Sequence, residues 1–458
     1  MSLDHGPYSG DLRLTAQKVA GSIAVLFCFS VVALWVALSK LPTIPYYILL
    51  TLQLGAFRRF LRYTFPQRTR LFYDARSTLL SDLLPELHAL TAGYAPALML
   101  PSGVLQTAAA ECYAPPPSTT PFDRETVALE ALDFGGTASS RKTSCCPNFV
   151  PAGTISLDWL HLAQERGPEG VLDPRAPVCI LVPGLTGSSQ AAYIRRLALT
   201  LNKKEFRVAC YNPRGRGGNP LETPFLYSIG YTEDLRRVVQ RIRTRFPEAT
   251  LTAAGFSLGS NYLAKYVGEE SDKCMLAAAV SVAPPTDCIA MSNHLLHSSI
   301  GKLLDPYLVN SCKKMLRELR DGFPGVMEAC SHVDLKAVTA ARNMTEFDDA
   351  AIAPMFGCSC ASDYYREGGA GSYLNRIRIP HLFLAAANDP IVPAHLIRTD
   401  NFKTGRGLSQ EVPNPVLLAV TEEGGHSMVW PEGMFGDRSW ACEAIAEFLE
   451  VASSKTVE

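Results

Sequence analysis

The run Leu251-Thr252-Ala253-Ala254-Gly255-Phe256-Ser257-Leu258-Gly259-Ser260-Asn261 constrains this chain more than any other. Leu251 to Ala254 is short and apolar, suited to a buried strand, and a helical pattern runs from Asn261 to Val267. Between them lies Gly255-Phe256-Ser257-Leu258-Gly259. A strand that turns into a helix within so few residues strains the backbone of the central serine. Only small residues two before and two after it avoid a clash. The hydroxyl then projects from the top of a sheet, and the next N–H, on Leu258, points to where an oxyanion would form. The pentapeptide alone is a weak signal; its setting between strand and helix carries the reading.

At 458 residues the chain is too long for one minimal domain and fits a large α/β domain with appendages. A net charge of −1 gives no reason to expect a nucleic-acid partner. The 13 cysteines are scattered without zinc-type spacing, so no metal site is expected. Their odd number and scatter argue against a disulfide framework, and most thiols are expected to be reduced and buried.

Val19 to Ser39 carries no charge and is bounded by Lys18 and Lys40. It is long enough to cross a hydrocarbon core of about 30 Å. Leu41 to Phe57 is also uncharged but interrupted by Pro42 and Pro45, as in the second arm of a hairpin or an interfacial segment. Arg58, Arg59, Arg62, Arg68 and Arg70 follow, which sets this flank on the cytosolic side and suits anionic lipid headgroups. The expected division is a tail over 1–18, a membrane anchor over 19–57, a basic flank and linker over 58–120, and a catalytic domain over 121–458. The expected location is the endoplasmic reticulum membrane, with the catalytic domain cytosolic. Asn343-Met344-Thr345 is a glycosylation sequon usable only from the lumen.

Leu79 to Leu90 reads as an amphipathic helix and Met99 to Thr107 as a turn-rich segment. Arg124 to Phe134 and Ile155 to Leu162 read as the first two strands of a hairpin, joined by an exposed polar insertion. Apolar runs at Val178 to Val182, Phe206 to Tyr211, Leu251 to Ala254 and Leu276 to Ala283 then alternate with helical patterns. That alternation predicts a mostly parallel sheet covered on both faces. From about 286 to 376 the pattern is helical and charged, as in an insertion that lids the serine. Strands resume at His381 to Ala386 and Val416 to Val420, and Ser439 to Val451 closes the chain as a helix.

A serine nucleophile needs a base, and the base an orienting carboxylate. In this arrangement the acid and then the histidine follow the serine in chain order. Asp389 lies just past a buried strand, where active-site residues sit in open α/β sheets. Its rival is Asp363, inside the insertion. His426 sits on a glycine-flanked loop after the last strand, unlike the other eight histidines. The second oxyanion donor is expected from the loop after Val182, where Pro183-Gly184-Leu185 offers the Leu185 N–H.

The sequence resembles the abhydrolase-4 family of membrane-anchored α/β-hydrolases, from about Pro101 to the end. The likeness rests on Gly103-Val104-Leu105-Gln106-Thr107, Arg124-Glu125, Leu157-Asp158-Trp159 and Leu181 to Ser188. It continues through Asn212-Pro213-Arg214-Gly215, Ala254 to Gly259, Glu346-Phe347-Asp348, Met355-Phe356-Gly357, Asp363-Tyr364-Tyr365 and Gly424-Gly425-His426. Pro183-Gly184 departs from the His-Gly of many relatives and looks like the branch that hydrolyses medium-chain phosphatidylcholines. The resemblance implies an α/β-hydrolase fold and a triad of Ser257, Asp389 and His426.

The function expected is hydrolysis of membrane lipid esters, with no metal or organic cofactor. A short-chain carboxylesterase, an acylglycerol hydrolase and an acyltransferase use the same triad. A non-catalytic membrane scaffold is the alternative of another class, and an intact triad in chain order argues against it.

Overall fold

The computed structural model describes residues 61–63, 66–100, 102–112, 122–133, 149–165, 172–325, 333–403, 413–433 and 438–455. The expected anchor, 19–57, lies outside them. Among the described residues no helix is long and apolar enough to cross a membrane.

Nine strands form one sheet: β1 (Arg70–Tyr73), β2 (Asp123–Leu129), β3 (Gly153–Leu160), β4 (Val178–Val182), β5 (Arg207–Asn212), β6 (Leu251–Phe256), β7 (Ala278–Val282), β8 (His381–Ala386) and β9 (Val416–Thr421). Their order is β1-β9-β8-β7-β6-β4-β5-β3-β2. The six strands from β5 to β9 in that row pair in parallel, while β2, β3 and β1 are antiparallel to their neighbours. This is the α/β-hydrolase fold.

The central strands are buried at every position and mostly apolar, because both faces of the sheet are covered. Side chains alternate across a strand. Cys179 and Leu181 of β4 therefore pack on one face, with Ala254 and Phe256 of β6, while Val178, Ile180 and Val182 pack on the other. The first face is covered by α2 (Ala192–Lys203) and α7 (Trp440–Lys455), and the second by α3 (Glu233–Arg245) and α4 (Leu258–Glu270). Full burial of each Leu, Ile or Phe in these layers contributes about 1.5–3 kcal/mol before entropy is counted.

Between β7 and β8 the chain is helical, led by α5 (Cys288–His297) and α6 (Ser299–Gly322). Asp287 and Ser298 cap their N-termini with side-chain oxygens. The insertion builds a third apolar cluster that includes Val309, Cys312, Phe347, Phe356 and Tyr364.

The segment expected to be a linker differs most from expectation. β1 adds an antiparallel edge strand beside β9. The helix expected over Leu79 to Leu90 is two short ones, Thr78–Leu83 and His88–Ala92, parted at Pro85, which cannot donate to a continuing helix. The turn expected up to Thr107 is instead the start of α1 (Gly103–Cys112). The Ser102 hydroxyl caps it, accepting from Leu105 N–H at 3.3 Å, and the run Ala108-Ala109-Ala110 favours helix. Among the described residues of the basic flank, Arg62 pairs with Glu423 at 2.6 Å and Arg70 with Glu422 at 3.2 Å, so these two are not free for headgroups alone; Arg58 and Arg59 lie outside the described residues. Cys179, Cys210, Cys288, Cys312 and Cys442 are free and buried, whereas Cys358 is disulfide-bonded.

Candidate active site

Ser257 sits between β6 and α4 with φ 50° and ψ −119°, the strained turn its sequence setting predicts. Neither flanking glycine has room for a side chain. A Cβ on Gly255 would meet the Gly259 carbonyl oxygen at 2.7 Å, and one on Gly259 the Pro183 oxygen at 2.2 Å. The Ser257 N–H donates to Val282 O at 2.9 Å, which fixes the turn against β7.

Asp389 and His426 lie on the loops after β8 and β9, at the same end of the parallel strands. His426 Nε2 is 2.9 Å from Ser257 Oγ, and its Nδ1 is 2.7 Å from Asp389 Oδ2. The other oxygen, Asp389 Oδ1, accepts the N–H groups of Ile391 and Val392, each at 2.8 Å. These bonds hold one face of the carboxylate while the other meets the imidazole. Asp363 stands elsewhere, on the helix Ala361–Gly368, and pairs with Arg366 at 2.6 Å and with the Ser359 hydroxyl.

Leu185 and Leu258 both line the cavity above Ser257. Leu258 opens α4, so its N–H lacks a partner within the helix. The Leu185 N–H has no protein acceptor among the described residues, and its neighbours are pinned. Gly184 N–H donates to Tyr193 Oη at 2.9 Å, Thr186 N–H to Tyr227 Oη at 2.7 Å, and an Arg216 guanidinium N–H to Thr186 O. A Cβ on Gly184 would lie 3.3 Å from Ser257 Cβ, so this loop runs beside the serine.

Below the same loop lies a buried polar network. Asp158 Oδ2 accepts from Ser189 Oγ at 2.5 Å and from Asn212 Nδ2 at 2.9 Å, and Asn212 Oδ1 accepts from Ser189 N–H at 2.8 Å. Arg124 donates to both Asp158 oxygens at 2.7 Å. Segments of sequence up to 88 residues apart, around Arg124, Asp158, Ser189 and Asn212, thus meet beneath the loop.

Above Ser257 is a cavity of about 650 Å³, within the range of small-molecule sites. Its roof comes from the insertion, through Met291, Leu295, Leu304, Leu308, Met344 and Phe347. Among the described residues no cluster of three or more His, Cys, Asp or Glu could hold a metal ion.

Asp348 also lines the cavity. Burial pushes its carboxyl up to about 7 from 3.8, and repulsion from Asp349 and Asp305 adds to that, against a hydrogen bond that Tyr365 Oη donates at 2.5 Å. A carboxyl raised on folding contributes stability that is complete below its unfolded value and lost as pH rises through about 7. Asp348→Asn is therefore expected to flatten the fall in stability between about pH 4 and pH 8. Denaturant midpoints across that range check this, and an unchanged slope refutes it.

Three residues that contact the triad loops were not singled out by sequence reasoning: Gln106, Thr107 and Asn388. Gln106 and Thr107 fell inside a motif of the family likeness, but no spacing rule connects them to His426.

Comparison with known proteins agrees with this architecture. The profile of the family Hydrolase_4, described as serine aminopeptidase, S33, matches residues 173–428. The chain belongs to this family. Among its relatives in this fold class, the embryogenesis-associated protein EMB8 of Picea glauca is 31% identical over 68% of this chain and 67% of that one. The monoacylglycerol lipase of Saccharomyces cerevisiae is 32% identical over 61% of this chain and 60% of its own length. The phospholipase ABHD3 of Mus musculus is 31% identical over 61% and 65%. The chain thus spans about two thirds or less of the length of these relatives. The phospholipase is of the kind that the sequence resemblance implies.

Proposed function

We propose that this chain is a membrane-anchored serine hydrolase of lipid esters, acting most specifically on phospholipid acyl chains. It is a carboxylic ester hydrolase. The observation that carries the reading is the hydrogen-bonded line Ser257–His426–Asp389 at the floor of an apolar cavity.

The reaction follows from the positions. Ser257 Oγ attacks the ester carbonyl carbon as His426 Nε2 takes its proton. The carbonyl oxygen gains the charge and is held by the N–H groups of Leu185 and Leu258. Asp389 stabilises the imidazolium that forms at His426. Collapse breaks the bond to the leaving alcohol, which receives the proton from His426. Water then attacks the acyl-enzyme by the same route, releasing the acid and restoring the Ser257 hydroxyl.

Relatives named lipase and phospholipase support a lipid substrate. The apolar helical insertion serves as a lid over an acyl chain. Residues 19–57 hold the enzyme at its bilayer, and the arginines that follow favour a cytosolic domain. The Cys358 disulfide instead suits an oxidising compartment, and protease protection of the full chain in microsomes decides between the two.

Full-length protein and a chain lacking 1–57 are compared on phosphatidylcholine vesicles and on a soluble p-nitrophenyl ester. The truncated chain is expected to lose vesicle hydrolysis and keep cleavage of the soluble ester. If it cleaves both equally, or the full chain never hydrolyses vesicles, the activity is that of a short-chain carboxylesterase.

A further inference from the structure

The loop that carries His426 presents three successive backbone N–H groups, and each is taken by a different side chain. Gly424 N–H donates to Gln106 Oε1 at 2.8 Å, Gly425 N–H to Asn388 Oδ1 at 2.9 Å, and His426 N–H to Thr107 Oγ1 at 2.8 Å. Two of the acceptors come from the first turn and a half of α1, some 320 residues earlier in the chain. The third is the residue before Asp389.

Gln106 is fully buried and uses all its hydrogen-bonding capacity. Its Oε1 accepts from Gly424 N–H and from Asn388 Nδ2, the latter at 3.3 Å. Its Nε2 donates to Leu100 O at 3.0 Å and to Glu423 Oε2 at 3.1 Å. This orientation is compelled. Gly424 N–H can only donate, and the Leu100 carbonyl and Glu423 carboxylate can only accept. One amide therefore touches the acid loop at Asn388 and the base loop at Glu423 and Gly424.

The backbones also meet too closely for larger residues. A Cβ on Gly103 would lie 2.0 Å from Asn388 O, and one on Gly425 would lie 2.2 Å from Gly103 O. Gly425 has φ 61°, which favours glycine on its own account.

We propose that Gln106 and Thr107 are positioning residues for the His426 loop: with Asn388 they clasp the acid and base loops together and set the His426 imidazole between Ser257 and Asp389. The inference rests on the hydrolase reading above. It goes beyond the family profile, which begins at residue 173 and omits α1. The clasp makes the segment before β2 part of the catalytic unit. It also reaches toward the N-terminal flank, because Glu423 is the partner of Arg62.

A loop freed of such a clasp shifts by a fraction of an ångström to an ångström, and a misplacement of that order costs about 100-fold in rate. Each such loop N–H, left without an acceptor, also costs stability, so fold and catalysis are measured separately.

The test uses the full chain and a soluble p-nitrophenyl ester. Thr107→Val keeps the shape and removes the acceptor, and Thr107→Ser restores it. Gln106→Leu removes both halves of the amide. For each variant kcat, KM, the melting temperature and the rate of fluorophosphonate labelling are recorded. Thr107→Val and Gln106→Leu are expected to lower kcat and the labelling rate by about 100-fold with KM within about 3-fold. Thr107→Ser is expected to recover kcat to within about 3-fold of wild type. A kcat within about 2-fold of wild type in Thr107→Val overturns the proposal. So does a Thr107→Ser that folds like wild type yet stays as slow as Thr107→Val. If Gln106→Leu does not fold, the Val and Ser pair at residue 107 decides alone. A wild-type chain that neither takes the probe nor cleaves the ester overturns the hydrolase reading itself, a result separate from any difference among the variants.

Discussion

Ser257→Ala is expected to abolish fluorophosphonate labelling and to lower ester hydrolysis by about four to six orders of magnitude, leaving only what the oxyanion donors and binding supply. The expectation follows from the turn. Ser257 Oγ is held 2.9 Å from a base, at a backbone conformation of φ 50° that projects it into the cavity. Other buried serines lack this setting. Ser281 Oγ, for example, lies within β7, donates to Ser260 O at 3.0 Å and is 2.9 Å from Nε2 of His381, whose pKa burial pushes down to about 3. Alanine removes only a hydroxyl that makes no structural bond except to His426, so the fold is expected to survive. Equal labelling of wild type and Ser257→Ala would place the reactive serine elsewhere.

Asp389→Asn is expected to lower kcat by about four orders of magnitude with the fold intact. The reason lies in the hydrogen bonds of the carboxylate. The asparagine oxygen would still accept from the Ile391 and Val392 N–H groups, which cannot accept in turn. Its NH₂ then faces His426 Nδ1 and forces that nitrogen to accept. The imidazole proton moves to Nε2, and a protonated Nε2 cannot take the proton of Ser257. Asp363→Asn is the control. Its side chain pairs with Arg366 and Ser359 and does not line the cavity, and an exposed pair of that kind contributes little to stability. Activity kept in Asp389→Asn and lost in Asp363→Asn would reverse the assignment.

The strand and helix pattern from Val178 onward was legible because each central strand is a short, mostly apolar run. That pattern arises only when both faces of a sheet are covered, and it ends where a polar turn begins. The same logic located Ser257, whose two glycines are required by backbone contacts that any serine in that turn would make. Chain order together with position just after a buried strand then pointed to Asp389 and His426, with Asp363 left as the rival acid.

The segment before β2 was not legible. Its strand β1 is short and flanked by charge, and its pairing with β9 depends on residues some 350 positions away. The helical start at Gly103 was hidden by Pro101, Ser102 and Gly103, which read locally as a turn, although Ser102 in fact caps α1. Propensity weighs a few neighbouring residues, whereas the first turn of α1 is stabilised by the loops it grips.

What the sequence determined by itself was therefore the run of parallel strands, the strained serine turn and a short list of candidate partners, because local backbone geometry and the period of burial are written in adjacent residues. What only the tertiary structure decided was the mutual placement of the loops: Asp389 rather than Asp363 beside His426, the tyrosines that pin the Leu185 loop, and Gln106 and Thr107 under the histidine. Those depend on distances between segments far apart in the chain, and only the closed packing of the sheet and its helices sets such distances.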